Sequence, residues 1–179
     1  TGNWFWWGNE QCTPDEYKQL GIMTVEYLRD KKNVHNLLYA YSPSEVNDES
    51  HFLERYPGNN YVDIVSYDCY VPGKDSTAIA KYKEAMERNL KIVTGYASKS
   101  GKVPAIGETG MESISDSTYF TQVVHPLFSQ YKIAWVLFWR NAWEKDKPNH
   151  FYIPFVGHPS AKDFVEFVNK DNILMNKDI

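Results

Sequence analysis

The sequence has few cysteines, no excess of positive charge and no long hydrophobic run. Its 179 residues contain two cysteines, Cys12 and Cys69, which exclude a disulfide-rich scaffold and a cysteine-based zinc site, and leave open whether they form one bridge. The net charge of -4 argues against a nucleic-acid partner, because such binding depends on clustered Lys and Arg. No apolar run approaches the roughly 20 residues of a membrane span, so we expect none.

Aromatic residues make up 16% of the chain, including six Trp and thirteen Tyr. Such an excess in an acidic protein favours a flat, amphipathic ligand such as a sugar ring, although a Tyr-rich core is the plainer alternative. The segment Trp4–Trp7 contains three Trp in four positions, which cannot all face one core. We therefore expect at least one of them to be exposed in a cleft, and the others could form a hydrophobic plug.

The order of predicted elements indicates one α/β domain. Strands are predicted over residues 34–41, 61–68, 103–108 and 132–139, and helices over 14–31, 52–56, 76–98, 117–130 and 160–170. A capping box at Thr13 and Glu16 begins the first helix, and Ser160 is expected to cap the last one. The strands are near-continuous apolar runs, which is typical of parallel strands covered on both faces. Both an open doubly wound sheet and part of a (β/α)8 barrel fit this pattern.

Polar and aromatic residues follow the ends of the predicted strands, where parallel α/β folds carry their active sites. These residues are Asp68, Tyr70, Glu108, Trp139 and Arg140. A carboxylate that ends an apolar strand is costly to bury unless it is paired, so we expect Tyr70 and Arg140 to be partners of Glu108. Glu108 is then either a structural ion-pair residue or a catalytic nucleophile. The chain has no phosphate-binding loop and no GxGxxG motif, and we predict no cofactor and no metal.

Several further motifs follow one another along the chain: Thr1–Gly8 (TGNWFWWG), His35–Pro43 (HNLLYAYSP), Tyr61–Val65 (YVDIV), Gly107–Gly110 (GETG), Phe138–Ala142 (FWRNA) and segments between His150 and Phe164. In this order they resemble glycoside hydrolase family 26, the β-mannanase family. The resemblance extends over essentially the whole chain.

The resemblance implies a (β/α)8 barrel that hydrolyses β-1,4-mannan with retention of anomeric configuration. It places the catalytic nucleophile at Glu108, at the end of the seventh strand of the barrel. It implies that Tyr70, after the sixth strand, orients this nucleophile. It also implies substrate-binding roles for Trp4, Asp68, Trp139 and Arg140.

One element of the family pattern has no counterpart in residues 1–179. The general acid/base of the family is a Glu that would stand just before Thr1, and no other carboxyl in the chain matches it. The chain therefore resembles the C-terminal half of the barrel, with strands five to eight. We expect the N-terminal half of the same barrel to be its partner, and we expect this segment alone to be inactive.

The sequence thus predicts a retaining endo-β-1,4-mannanase that acts on mannan-type hemicellulose, secreted or held at the cell surface or in the periplasm of a bacterium. Two alternatives stay open. One is another specificity of the same family, a β-1,3-xylanase or a mixed-linkage β-glucanase. The other is a non-catalytic, carbohydrate-binding half-barrel that keeps the aromatic platforms without the acid.

Overall fold

The structure, a computed structural model, describes residues 5–73 and 75–175. Its helices are α1 (Pro14–Glu26), α2 (Glu49–Leu53), α3 (Ala78–Ser100), α4 (His125–Phe128) and α5 (Ala161–Val168). Its strands are β1 (Ala40–Tyr41), β2 (Ile64–Val65), β3 (Asp68–Tyr70), β4 (Val103–Pro104), β5 (Ile106–Gly110) and β6 (Val136–Phe138). The predicted alternation of strands and helices is confirmed. None of the described helices is long and apolar enough to cross a membrane.

The strands form two three-stranded sheets, in the orders β1-β2-β4 and β3-β5-β6. In the first sheet the strands are parallel, as predicted, with Ala40 opposite Ile64 and Ile64 opposite Val103. The predicted strands 61–68 and 103–108 are each divided between the two sheets. Just after β4 the backbone pairing with β2 continues, because Ala105 N donates to Val65 O at 3.0 Å.

The chain divides into two compact units. The first comprises the chain up to Asp68 together with Arg88–Gly107, and the second comprises Cys69–Glu87 and the chain from Glu108 onward. The core of the first unit contains a closed cycle of four aromatic rings in edge contact, with centroids 5.3 to 5.7 Å apart: Tyr41, Phe52, Tyr96 and Tyr56. The Tyr41 hydroxyl donates to the carbonyl of Phe52, which satisfies a buried polar group.

The core of the second unit is centred on Phe120, which is fully buried. Its ring contacts Tyr119, Phe138, Phe164 and Phe167 at centroid distances of 4.9 to 5.9 Å. This cluster packs β6 and α5 onto the π-helical segment Tyr119–Val124 that precedes α4. Pro126 lies in the first turn of α4, just after the chain passes from π-helical to α-helical turns, where its missing N–H is tolerated.

The ends of the helices largely follow the predicted chemistry. Thr13 and Glu16 form the reciprocal capping box, with Thr13 N donating to Glu16 Oε2 at 2.8 Å. Ser160 occupies the N-cap position of the last helix, as expected, but its side chain makes no capping hydrogen bond. The Ser160 hydroxyl is instead hydrogen-bonded to His158 Nδ1 at 2.8 Å. No disulfide joins Cys12 and Cys69, so the bridge left open by the sequence is absent.

Candidate active site

Glu108 is the accessible residue of an otherwise buried strand. It lies at the middle of β5, the central strand of its sheet, and its neighbours Gly107, Thr109 and Gly110 are buried while its own side chain is partly exposed. The Tyr70 hydroxyl, from the end of the adjacent strand β3, donates to Glu108 Oε2 at 2.8 Å. The predicted pairing of Glu108 with Tyr70 is therefore confirmed.

The residues that follow Glu108 are held by side chains of the same unit. The fully buried Thr109 hydroxyl lies 2.7 Å from the Tyr82 hydroxyl on α3. Gly110 has φ +153°, a conformation that favours glycine, and its carbonyl accepts from Val71 N at 3.0 Å. Hydrogen bonds just after Glu108 thus tie β5 both to the helix α3 and to the chain that follows Tyr70.

Trp139 and Arg140 follow β6, the strand beside β5. Trp139 N donates to Thr109 O at 3.0 Å, which places Trp139 next to the residue that follows Glu108. The expected pairing of Arg140 with Glu108 is wrong. The Arg140 guanidinium makes a two-pronged contact with Glu144, with both N–O distances 2.8 Å. Glu144 reaches it because it lies four residues along the same loop.

The Arg140–Glu144 pair is electrostatically strong for a surface contact. The hydrogen bonds from Arg140 lower the pKa of the Glu144 carboxyl to about 2, from an ordinary value of 4.5. The planar guanidinium remains partly exposed, because 39% of the Arg140 side chain is accessible. Such a planar group can bind sugar hydroxyls with the donors that Glu144 does not engage.

Asp68 belongs to the first unit, at the start of β3. Its Oδ1 accepts from the hydroxyl of Ser42 at 2.8 Å. Ser42 directly follows β1. A side chain at Gly107 would overlap Ser42 Oγ and lie 2.6 Å from Asp68 Oδ1. Glycine at position 107 is therefore required by the close approach of the Ser42–Asp68 pair.

Trp4 lies outside the described residues, so its predicted role in substrate binding stays a prediction. The aromatic residues that follow it behave as expected, because Trp6 is 70% exposed while Trp7 is half-buried. Trp7 stacks on Phe5 with ring centroids 4.6 Å apart and an angle of 7°. Trp6 and Trp7 border a largely apolar cavity of about 470 Å³ in the first unit, whose other walls include Tyr17, Tyr39 and Tyr61.

Two functional candidates were missed by the sequence reasoning. Glu144 could have been found from its spacing of four residues from Arg140, and Tyr152 lies in a loop whose contacts no local pattern indicates. Within residues 5–73 and 75–175, no three His, Cys, Asp or Glu side chains are grouped so that they could hold a metal ion.

Comparison with known proteins identifies the fold around this site. The sequence model of glycosyl hydrolase family 26 matches residues 1–151. A mannan endo-1,4-beta-mannosidase of Bifidobacterium adolescentis is 31% identical over 99% of this chain, which covers 19% of that protein. A mannan endo-1,4-beta-mannosidase of Bacillus subtilis strain 168 is 28% identical over 79% of this chain and 37% of its own.

Solved structures agree. A β-mannanase of this family from Bacteroides ovatus has a TM-score of 0.90 and 39% identity, over 98% of this chain and 49% of that one. An endo-β-1,4-mannanase catalytic domain from Bacillus sp. JAMB-750 has a TM-score of 0.87 and 30% identity, over 99% of this chain and 49% of that one. The chain thus spans about half the length of these two solved relatives and a smaller share of the length of the two mannosidases.

These matches confirm the predicted fold class, an α/β arrangement with parallel strands that forms part of a (β/α)8 barrel. The chain belongs to glycosyl hydrolase family 26.

Proposed function

We propose that this chain is part of a retaining endo-β-1,4-mannanase in which Glu108 is the nucleophile. The observation that carries the proposal is the 2.8 Å hydrogen bond from Tyr70 to Oε2 of Glu108, the one partly exposed residue of β5, in a member of this family. A phenol that donates to one carboxylate oxygen leaves the other oxygen free to attack. The relatives named as mannan endo-1,4-beta-mannosidases support mannan as the substrate.

In this mechanism the free oxygen of Glu108 attacks the anomeric carbon while a second carboxyl group protonates the leaving oxygen. The resulting glycosyl ester on Glu108 is then hydrolysed by a water molecule, which the second group deprotonates. The two carboxyls of a retaining enzyme lie about 5 to 5.5 Å apart. Tyr70 acts as a donor that holds the Glu108 carboxylate in its attacking orientation.

We assign the second carboxyl to the remainder of the barrel. This assignment is supported by the share of the solved relatives that the chain spans, 49% in each of two cases. It is also supported by the outer strands of each unit. In the first unit Leu38, beside β1, is 74% exposed, and in the second unit Leu137 on β6 is 42% exposed. Apolar edges of this kind are normally covered by a further strand or helix.

Substrate binding is assigned to Trp139 and Arg140 after β6, to Asp68, and to Trp4. An indole ring binds the C–H face of a sugar by stacking, and Arg and Asp side chains bind its hydroxyl groups. Because an intact polysaccharide does not cross the cell membrane, the proposed activity also implies that the protein works outside the cytoplasm, secreted or at the cell surface.

The test is a comparison of Glu108→Ala with wild type in the full-length protein on β-1,4-mannan. We expect the loss of the nucleophile to reduce the release of reducing sugar by several orders of magnitude, since the covalent step is abolished. Sodium azide should restore turnover and give a glycosyl azide of inverted configuration, which NMR identifies. Glu166→Ala, which removes an exposed carboxylate paired with Lys170, is the matched control and should behave as wild type.

Three results would contradict the proposal. Full activity of Glu108→Ala would exclude this residue as the nucleophile. If the wild-type protein hydrolyses β-1,3-xylan or mixed-linkage glucan instead of mannan, it has another specificity of the family. Mannan binding without turnover of any of these polysaccharides by the full-length protein would indicate a non-catalytic binding module.

A further inference from the structure

Tyr152 is a buried aromatic residue that lies against the pair formed by Tyr70 and Glu108. Its side chain is 8% exposed. Its ring meets the Tyr70 ring edge to face, with centroids 5.6 Å apart and an angle of 68°. The same Tyr70 ring carries the hydroxyl that donates to Glu108. Tyr152 therefore limits the positions that the Tyr70 ring can adopt.

Gly110 makes room for this contact. A Cβ atom at position 110 would overlap Cδ1 of Tyr152 and lie 3.2 Å from its Cγ. The ring of Tyr152 thus rests directly on the backbone of β5, two residues beyond Glu108. Because Gly110 O also accepts from Val71 N, the same glycine joins the strand of Glu108 to the strand of Tyr70.

The backbone of Tyr152 is held in place by Asn141. The Asn141 side-chain oxygen accepts from Tyr152 N at 2.9 Å and from Ile153 N at 3.0 Å, and its amide nitrogen donates to Ile153 O at 2.7 Å. One amide thus satisfies three backbone groups at Tyr152 and Ile153. On its other side, the Tyr152 ring meets the His150 ring edge to face at 5.3 Å.

The Tyr152 phenol stays neutral at this site. Burial raises its pKa, and the carboxylates of Glu112 and Glu108 raise it further. A phenolate at Tyr152 beside Glu108 is therefore disfavoured, and the contribution of Tyr152 is one of packing.

We propose that Tyr152 is a positioning residue that acts through Tyr70, so that the Tyr70 hydroxyl stays directed at Glu108. The inference rests on the proposed role of Glu108 as nucleophile, and it adds Tyr152, Gly110 and Asn141 to the residues on which that role depends. Without the Tyr152 ring, Tyr70 can rotate away from Glu108, and the carboxylate loses its donor.

The test is a double-mutant cycle in the full-length protein with Tyr70→Phe, Tyr152→Leu and the double variant. Tyr152→Leu keeps much of the buried volume, so that folding is preserved. We expect Tyr152→Leu to lower kcat about tenfold, the effect of losing a hydrogen bond to a charged group, with KM changed less than about threefold. In the Tyr70→Phe background the same substitution should have little further effect. Tyr152→Phe keeps the ring and should recover most of the lost activity.

A merely structural role gives different results. If Tyr152 only contributes to the core, its effect on kcat will add to that of Tyr70→Phe, and a matched core variant such as Phe167→Leu will lower kcat to the same extent. Either outcome overturns the proposal. Asn141→Ala, which releases the Tyr152 backbone without altering the ring, provides an independent variant and should follow Tyr152→Leu.

Crystal structures of wild type, Tyr152→Leu and Tyr152→Phe provide a readout that does not depend on turnover. The distance from Tyr70 Oη to Glu108 Oε2 should lengthen beyond hydrogen-bonding range in Tyr152→Leu alone. An unchanged distance refutes the positioning role. If the wild-type protein hydrolyses no mannan, the proposed function fails, while this structural comparison still decides whether Tyr152 positions Tyr70.

Discussion

The hydroxyl of Tyr70 lies 2.8 Å from Glu108 Oε2, across two neighbouring strands of one sheet. A phenol donates a hydrogen bond to a carboxylate oxygen without transferring its proton, so this bond orients the side chain that we propose as the nucleophile. Tyr70→Phe removes the donor and retains the ring. We expect kcat of the full-length enzyme on manno-oligosaccharides to fall about 10- to 100-fold, the range for a hydrogen bond to a charged group.

Tyr61→Phe is the control for this change. The Tyr61 hydroxyl also donates to a carboxylate, Glu26 Oε1 at 3.0 Å, but on the exposed surface of the first unit. Its loss should leave kcat unchanged. Equal kinetics for Tyr70→Phe and wild type would show that the hydrogen bond to Glu108 has no part in catalysis.

The position of Glu108 beside Tyr70 could be predicted from the sequence for a simple physical reason. The carboxyl ends of adjacent strands in a parallel sheet meet at one edge, so residues that end apolar runs are brought together whatever the loops do. The same reasoning accounts for Trp139, whose backbone N donates to Thr109 O at 3.0 Å. These contacts depend on strand order and need no detailed knowledge of the loops.

The contacts of Arg140 and Tyr152 could not be predicted in that way. Arg140 lies beyond its strand, in a loop where Glu144 is close enough to bind it, and local partners prevail over a residue on another strand. Tyr152 reaches Gly110 only because the loop of residues 140–153 folds back and Asn141 binds it. Backbone contacts that form through loops of this length leave no periodic signal in the sequence.

The pairing of Arg140 with Glu144 leads to a prediction about substrate binding. Glu144→Gln removes the charged partner that orients the planar guanidinium, so Arg140 becomes free to adopt other rotamers. We expect KM for manno-oligosaccharides to rise about three- to tenfold with little change in kcat, because orientation of a binding group is lost while Glu108 is untouched. Glu166→Gln, which breaks the exposed pair with Lys170 on α5, is the matched control.

The pH dependence of this pair has a definite sign. A carboxyl whose pKa is lowered on folding stabilises the folded state at pH values above its ordinary pKa of 4.5. This contribution is lost as the pH falls towards about 2. The effect of Glu144→Gln on KM should therefore be constant from neutral pH down to about 4.5. An effect of Glu144→Gln that disappears between these limits would contradict the assigned pairing. Kinetics at several pH values measure it.

Two glycines of the first unit should respond in opposite ways to substitution by alanine. At Gly107 a methyl group would overlap Ser42 Oγ and crowd Asp68, so we expect Gly107→Ala to lower the free energy of unfolding by about 1 to 3 kcal/mol. Gly95 lies within α3 with no atom within 4 Å of an added Cβ. Gly95→Ala should therefore raise the free energy of unfolding by about 0.5 to 1 kcal/mol.

Chemical denaturation of the full-length variants measures both changes. Ser42→Gly in the Gly107→Ala background should recover part of the loss, because it removes the overlapping hydroxyl. A Gly107→Ala variant as stable as wild type would show that the Ser42–Asp68 pair can move aside without cost, and that the pair is not held at the distance of 2.8 Å described above.

The remaining prediction concerns the exposed apolar edges. If a further part of the barrel covers the edge beside β1, then Leu38 is buried in the full-length protein even though it is 74% exposed in residues 5–73 and 75–175. Leu38→Asp should then destabilise the full-length protein by about 2 to 5 kcal/mol, as for a charge placed in an interface. Val156, fully exposed at 101%, provides the control, and Val156→Asp should be neutral within about 0.5 kcal/mol.

Residues 1–179 expressed alone should release no reducing sugar from mannan, and co-expression with the rest of the barrel should restore turnover. Equal stability of Leu38→Asp and Val156→Asp, or mannan hydrolysis by residues 1–179 alone, would show that no covering half is needed and that another carboxyl of this chain provides the proton.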